Sequence, residues 1–344
     1  KGVARTDSGV VAFIPKTLPG EEVRATTVKS KKRFIEMRLQ EVVRASSQRV
    51  DAACPHFHDC GGCQLQMLSY QDQLALKHDL LMDQFKRNAP QILEELGTIP
   101  PVIGTQSPLA YRNRSAFHVD GSTIGFVDPL IEQLIPIDRC PCADDTINER
   151  LAAARQFFAE YTNTGVTDFS LQVGEDANGT ASVQWILVFL DRETGEVKAP
   201  LPNANSELVT KHLTQLFPTD LFYGTMKTEE RKSSFGDQFF YLGGGHQFFV
   251  PFSVADDAFK LAIEPGSFVQ MDLQQAGVLY QDARKQLSVE SSDDVVDFYS
   301  GSGGLSVALA KQANTVVGVE LSKEAVTACE QSAALNQQEN LTFR

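Results

Sequence analysis

The chain has 344 residues, 42% hydrophobic and 22% charged, values ordinary for a globular protein of two or three domains and wrong for a disordered or fibrous one. No run reaches the ~20 apolar residues of a membrane span, and no leader pattern opens the sequence, so a cytoplasmic protein with reduced thiols is expected. The net charge of −13 is uneven: residues 1–50 carry 11 Lys+Arg against 5 Asp+Glu, or +6, leaving −19 for the remainder, a basic module on an acidic body.

Residues 1–45 read as short strands broken by Gly and Pro: Gly9-Val10-Val11-Ala12-Phe13-Ile14, then Glu22-Val23-Arg24-Ala25-Thr26-Thr27-Val28, then residues 35–43. So many short strands in so little chain predict a small closed barrel of the oligonucleotide-binding kind. Lys29, Lys31, Lys32 and Arg33 beside Phe34 suit an RNA track with an aromatic platform. A solvated basic hairpin with Phe34 in the core is the plainer alternative.

Cys54-Pro55-His56-Phe57-His58-Asp59-Cys60-Gly61-Gly62-Cys63 places three of the six cysteines within ten positions. In a reducing compartment such clustering points to metal ligation. The spacing lacks the two close pairs of zinc fingers and ribbons and suits an iron–sulfur cluster, which needs four thiolates. Cys140 and Cys142 compete for the fourth place, and the repeated Cys-Pro pair favours Cys140. Zinc held by three cysteines with His56 or His58 is the alternative.

Residues 64–88 have helical periodicity, with Leu65, Leu68, Leu74, Leu76, Leu80, Leu81 and Phe85 forming a stripe expected to pack in the core. Residues 111–119 read as a strand from which Arg112 and Arg114 project on one face, to contact phosphate or to blunt a sheet edge. Residues 125–128 and 135–137 look like its partners. A helix over 147–161 and strands at 170–173, 183–190 and 239–242 predict a mixed sheet domain.

From residue 251 the texture changes. Phe268-Val269-Gln270-Met271-Asp272 leads into a helix over 274–287. A buried strand then runs into Tyr299-Ser300-Gly301-Ser302-Gly303, a helix follows over 305–312, and a second strand at 315–319 ends at Glu320. A last helix begins near Ser322 and carries Cys329, expected to be an inert buried thiol. This is a β-α-β unit of a doubly wound sheet, with the glycine turn admitting a ligand and the acid placed for ribose hydroxyls. With only Gly301 and Gly303 at the fingerprint spacing and Asp297 before them, S-adenosylmethionine (SAM) fits better than NAD. An NAD-dependent oxidoreductase carrying a cluster is the weaker alternative.

Together these motifs resemble the RNA uracil-C5 methyltransferase family, in particular members acting on large-subunit ribosomal RNA with an N-terminal TRAM barrel and a 4Fe–4S cluster. Gly2-Val3-Ala4-Arg5 with Leu18-Pro19-Gly20-Glu21 resembles the TRAM domain. The resemblance implies Cys54, Cys60, Cys63 and Cys140 as cluster ligands. It implies Gln270, Tyr299, Gly301, Gly303 and Glu320 at the cofactor, and Lys31, Lys32, Arg33, Arg112 and Arg114 on RNA. It further implies an α/β multidomain protein: an OB-like barrel (1–45), a central α+β iron–sulfur domain (46–250) and the N-terminal part only of a Rossmann-like methyltransferase domain (251–344). A monomer acting on ribosomal RNA, away from membranes, is expected.

The sequence departs from the family pattern at Asp272, Ser300 and Gly304, where Asn, Cys and often Asn are usual. Family chemistry uses a cysteine that adds to uracil C6 and a general base. None of the six cysteines stands in the nucleophile's context, so residues 1–344 are expected to be catalytically incomplete. A non-catalytic RNA-binding protein on a degenerate methyltransferase fold is the competing expectation.

Overall fold

In a computed structural model, the structure describes residues 1–6, 8–190, 204–227, 235–236 and 238–344. The elements, in chain order, are β1 (Gly2–Arg5), β2 (Val11–Ile14), β3 (Glu22–Ser30), β4 (Phe34–Arg44), α1 (Tyr70–Asn88), α2 (Pro90–Leu96), β5 (Arg114–Asp120), β6 (Thr123–Asp128) and β7 (Gln133–Pro136). There follow α3 (Asp145–Glu160), β8 (Val166–Glu175), β9 (Ala181–Phe189), α4 (Ala204–Leu216), β10 (Leu221–Met226), β11 (Phe239–Gly244), β12 (Phe249–Val254) and β13 (Asp257–Ala262). The chain closes with α5 (Leu273–Leu287), β14 (Asp294–Phe298), α6 (Gly304–Ala310), β15 (Thr315–Val319), α7 (Lys323–Leu335) and β16 (Leu341–Phe343). Among the described residues no helix is long and apolar enough to cross a membrane.

Two compact units result. The first comprises Lys1–Pro108 and Gly125–Ile137, the second Leu109–Ile124 and Asp138–Arg344. In the first, β1 to β4 form a four-stranded sheet of order β1-β2-β4-β3 in which β2 and β4 run parallel. The expected closed barrel is not found: among the described residues no pairing joins β3 back to β1. The alternating pattern of short strands fixes strand pairing, but closure depends on tilt and stagger that composition does not encode.

The helix expected over 64–88 begins only at Tyr70, where Ser69 caps it by accepting from Asp72 N at 3.2 Å. Residues 65–68 instead form a turn that buries Met67 and Leu68 with Leu18 and Phe57. The expected core stripe holds only in part: Leu68 is buried and Leu65 and Leu76 pack against its cluster, while the rest of the α1 face is not fully covered. No α1 residue is fully buried, and Leu80 and Leu81 are 55% and 40% exposed. Within this same unit β6 pairs antiparallel with β7.

In the second unit β5, β8 and β9 pair antiparallel in turn, β10 joins β9 parallel, and β11 follows antiparallel. One face is an aromatic stack: Trp185 lies 5.7 Å from Phe169 and 5.6 Å from Phe222, with Phe158 beyond Phe169 at 6.3 Å. The β12–β13 hairpin carries α5 and α7. Ala262 N donates to Ser332 Oγ at 2.9 Å, and Asn336 Nδ2 to Lys260 O at 2.7 Å. At Gly277 in α5 a Cβ would lie 2.0 Å from Ser253 O, so only glycine lets this helix approach β12.

The three parallel strands run in the order β14-β15-β16. The expectation of a buried strand before the glycine turn needs correction. β14 is an edge strand whose Val296 and Phe298 are 52% and 69% exposed, while Val295 and Asp297 turn inward. A run of apolar residues does not reveal how many faces are covered.

Candidate functional site

The second unit places the glycine turn at the carboxyl end of β14, between it and α6. Three consecutive features give the turn its shape. Tyr299 has φ +62°, Gly301 +56° and Gly303 +77°, left-handed values that glycine adopts freely and tyrosine only under constraint. A Cβ on Gly303 would sit 3.0 Å from Cys329 Sγ and 3.1 Å from Phe343 Cζ, so the turn is packed from behind as well. Tyr299 itself projects outward, 93% exposed.

Glu320 follows β15 and holds this turn. Its Oε2 accepts from Gly301 N at 3.0 Å, and its Oε1 from Leu321 N at 2.8 Å and Ser322 N at 3.0 Å. These backbone donors, Ser322 foremost, hold its carboxyl below the usual glutamate range. The carboxylate is therefore ionised and fixed beside the turn, half-buried, where it can accept further hydrogen bonds from a polyol. Asp297 behaves oppositely. Burial pushes its carboxyl up, against the opposing hydrogen bond from Ser306 Oγ at 2.6 Å.

Cys329 lies under the turn, fully buried, donating to Gly301 O at 3.3 Å. Burial pushes its thiol up to about 12. A thiol so shifted holds its proton at neutral pH and is neither nucleophile nor ligand.

Two departures from the family pattern have local reasons. Asp272 caps α5, accepting from Gln275 N at 2.9 Å. Gly304 faces Tyr280, whose Oη would lie 2.9 Å from an added Cβ. At Ser300 the hydroxyl is buried without a partner among the described residues, and nothing in the structure explains the serine.

Gln270 lies one turn of chain before α5 and is half-buried. Arg112 stands over the Tyr111 ring at 5.9 Å, outside β5, and its main chain bridges to Ala143. Arg114 opens β5. It donates Nη1 to Ser267 O at 2.7 Å and Nε to Ser170 Oγ at 3.3 Å, and burial lowers its pKa. The two arginines thus do not share a strand face as expected. Tyr111-Arg112-Asn113 resembles the start of the family's central domain, but the role of Asn113 has no local signal, because its partners, Gln270 and Met271, are more than 150 positions away.

In the first unit Lys31, Lys32 and Arg33 are exposed in the β3–β4 turn. Lys31 Nζ stands 5.6 Å over the Phe34 ring, itself edge-on to Phe13 at 5.6 Å. Cys54, Cys60 and Cys63 lie on the turns between β4 and α1, Cys60 buried and the other two half-buried. Gly62 N donates to Cys60 Sγ at 3.3 Å, and Lys16 Nζ donates to the carbonyls of His58 and Cys60, each at 3.0 Å. Thiols on a tight turn with a backbone N–H aimed at sulfur have the donor chemistry of a soft metal centre. Even so, among the described residues no three His, Cys, Asp or Glu side chains gather at ion-holding spacing. In the second unit Cys140 and Cys142 are both buried. Asn148 clamps the Cys140 turn, receiving from Cys140 N at 2.8 Å and donating to Cys140 O at 3.1 Å.

Comparison with known proteins gives these features a context. The family profile described as tRNA (Uracil-5-)-methyltransferase matches residues 250–344. An uncharacterized RNA methyltransferase of Halalkalibacterium halodurans is 31% identical, covering 99% of this chain and 73% of its own length. One from Bacillus cereus is 32% identical over 94% of this chain and 70% of its own. The chain belongs to the RNA uracil-5-methyltransferase family. The crystal structure of Pyrococcus abyssi tRNA (uracil-54, C5)-methyltransferase in complex with S-adenosyl-L-homocysteine has the same fold, with a TM-score of 0.70 over 99% of this chain and 77% of that one at 22% identity. In this methyltransferase the profile match begins at β12 and takes in the glycine turn, Gln270 and Glu320.

Proposed function

We propose that the protein carries out SAM-dependent methylation of uridine C5 in RNA, with large-subunit ribosomal RNA as substrate. The observation that carries this reading is the ionised Glu320 carboxylate fastened to the N–H of Gly301 beside an open glycine turn. Such an acid at the end of the second strand accepts ribose hydroxyls, and the turn glycines let the ligand approach the main chain. The exposed Tyr299 and Leu321, 93% and 97% exposed, flank the turn with apolar surface for the adenine.

In the reaction proposed, a cysteine thiolate adds to uracil C6 and electrons shift to C5. C5 then takes the methyl group from SAM, and S-adenosylhomocysteine leaves. A base removes the C5 proton, and the electron pair returns to expel the thiolate. No residue here is assigned as that nucleophile or base, and the raised thiol of Cys329 excludes it from the first role. Lys31, Lys32, Arg33, Arg112 and Arg114 would meet RNA phosphates.

Cys54, Cys60 and Cys63, with Cys140 expected from the sequence, would hold a 4Fe–4S cluster. When bound, that cluster would act as a structural staple, since four thiolates leave no iron site open. A cytoplasmic monomer is proposed on sequence grounds.

Titration calorimetry with S-adenosylhomocysteine and, separately, NAD tests the cofactor. Binding of the first alone is expected, and a preference for NAD would overturn the reading. Anaerobic metal analysis tests the cluster. Iron with equimolar sulfide is expected, whereas one zinc without iron would replace the cluster by a zinc site.

A further inference from the structure

Two adjacent residues at the entry to β5 take hold of the main chain of residues 267–271. Asn113 donates its backbone N–H to Met271 O and its side-chain Nδ2 to Gln270 O, both at 2.9 Å. Arg114 donates Nη1 to Ser267 O at 2.7 Å. Three carbonyls in a stretch without helix or strand are thereby fixed from one side.

Asn113 is itself immobile. It is 7% exposed, and its carbonyl accepts from Val173 N at 2.7 Å and from Gln172 Nε2 at 3.1 Å. Arg114 stands over the Phe235 ring at 5.5 Å. Shielding a guanidinium from water disfavours its charge, and attachment to a carbonyl and a hydroxyl does not neutralise it. A contribution to stability alone therefore does not explain why a cation occupies this position.

The held segment supplies the reason. Val269 is buried among the core residues behind the glycine turn, which anchors the middle of the stretch. Gln270 follows it with its carbonyl fixed and its side-chain amide bonded to no described residue. An amide without a partner among the described residues, on a main chain held by Asn113 and Arg114 and anchored at Val269, is a preorganised binding group.

We infer that Asn113 and Arg114 are positioning residues, a two-residue clip that sets residues 267–271 so that the Gln270 amide meets the cofactor. This rests on the reading of Gln270 as a cofactor residue. Loss of the clip lets the segment shift, and a group displaced by a fraction of an ångström loses its bond to the ligand.

The test uses Asn113→Asp, which keeps the shape but sets an oxygen against the Gln270 carbonyl. S-adenosylhomocysteine binding is measured by calorimetry, and amide hydrogen exchange is followed over residues 267–271. N113D is expected to weaken binding about tenfold, the loss of one well-placed hydrogen bond, and to speed exchange in the segment. The double variant N113D/Q270A is expected to bind no more weakly than Q270A, because the clip acts through Gln270. Arg114→Lys, which keeps a donor for Ser267, should bind more tightly than Arg114→Met. This pair also serves if N113D does not fold.

N113D affinity within twofold of the parent, or additive losses in the double variant, would overturn the inference alone. A parent chain that takes up no S-adenosylhomocysteine overturns the cofactor reading, and this inference with it.

Discussion

Glu320 is the residue whose environment says most about what it does, because among the described residues its hydrogen-bond partners are all backbone N–H groups. Its depressed pKa means its contribution to stability is full above the unfolded glutamate value of about 4.3. That contribution is lost as pH falls through the lower folded value. Glu320→Gln should therefore weaken acid-dependent unfolding in this range, cost about 1 kcal/mol at pH 7, and lower cofactor affinity; denaturant melts at pH 4 and pH 7 check the first two. Gly303→Ala meets both a left-handed φ and the Cys329 sulfur, and should cost about 2 kcal/mol in the same assay. Both glycines and the acid were legible in the sequence, because turn and strand end lie nineteen positions apart in one strand-turn-helix-strand pattern. Asn113 was not legible, since nothing near it in the chain hints at Gln270.

At the scale of elements, a buried polar network in the second unit joins α3, β9 and the loop before β10. The Asp220 carboxylate receives Arg150 Nε and Nη2, each at 3.1 Å, with Val183 N and Trp185 Nε1 at 2.9 Å. Arg150 lies 4.2 Å from the Phe217 ring centroid, and Asp220 is fully buried. Asp220→Ala would leave the buried Arg150 guanidinium with the exposed Glu149 carboxylate as its remaining ion-pair partner and would orphan Val183 N and Trp185 Nε1, and a loss of about 3 kcal/mol is expected from denaturant unfolding. Most helices from α3 onward were legible to within a residue or two, because caps such as Asp144 and Ser322 are local signals. The α1 stripe misled in part because periodicity reports an apolar face without saying what covers it, and barrel closure failed for want of any local signal. The Asp220 network joins residues 35 to 70 positions apart and could not be foreseen.

For the whole molecule, a net charge of −13 hides a cationic first fifty residues. If Lys31, Lys32 and Arg33 contact phosphates, neutralising all three should reduce the salt slope of RNA binding by about 2–3, at ~0.7 per single-strand contact. Filter binding from low to high salt would show it, and an unchanged slope would remove the turn from the RNA surface. The first unit is assembled from Lys1–Pro108 and Gly125–Ile137, and its cysteine turn leaves no room for a Cβ on Gly61, where Pro129 Cδ would lie at 2.2 Å. During translation the turn therefore leaves the ribosome before the hairpin that walls it. At about 5–20 residues per second the interval is several seconds. If Cys54, Cys60 and Cys63 hold a cluster, its insertion in that interval would compete with elongation rate.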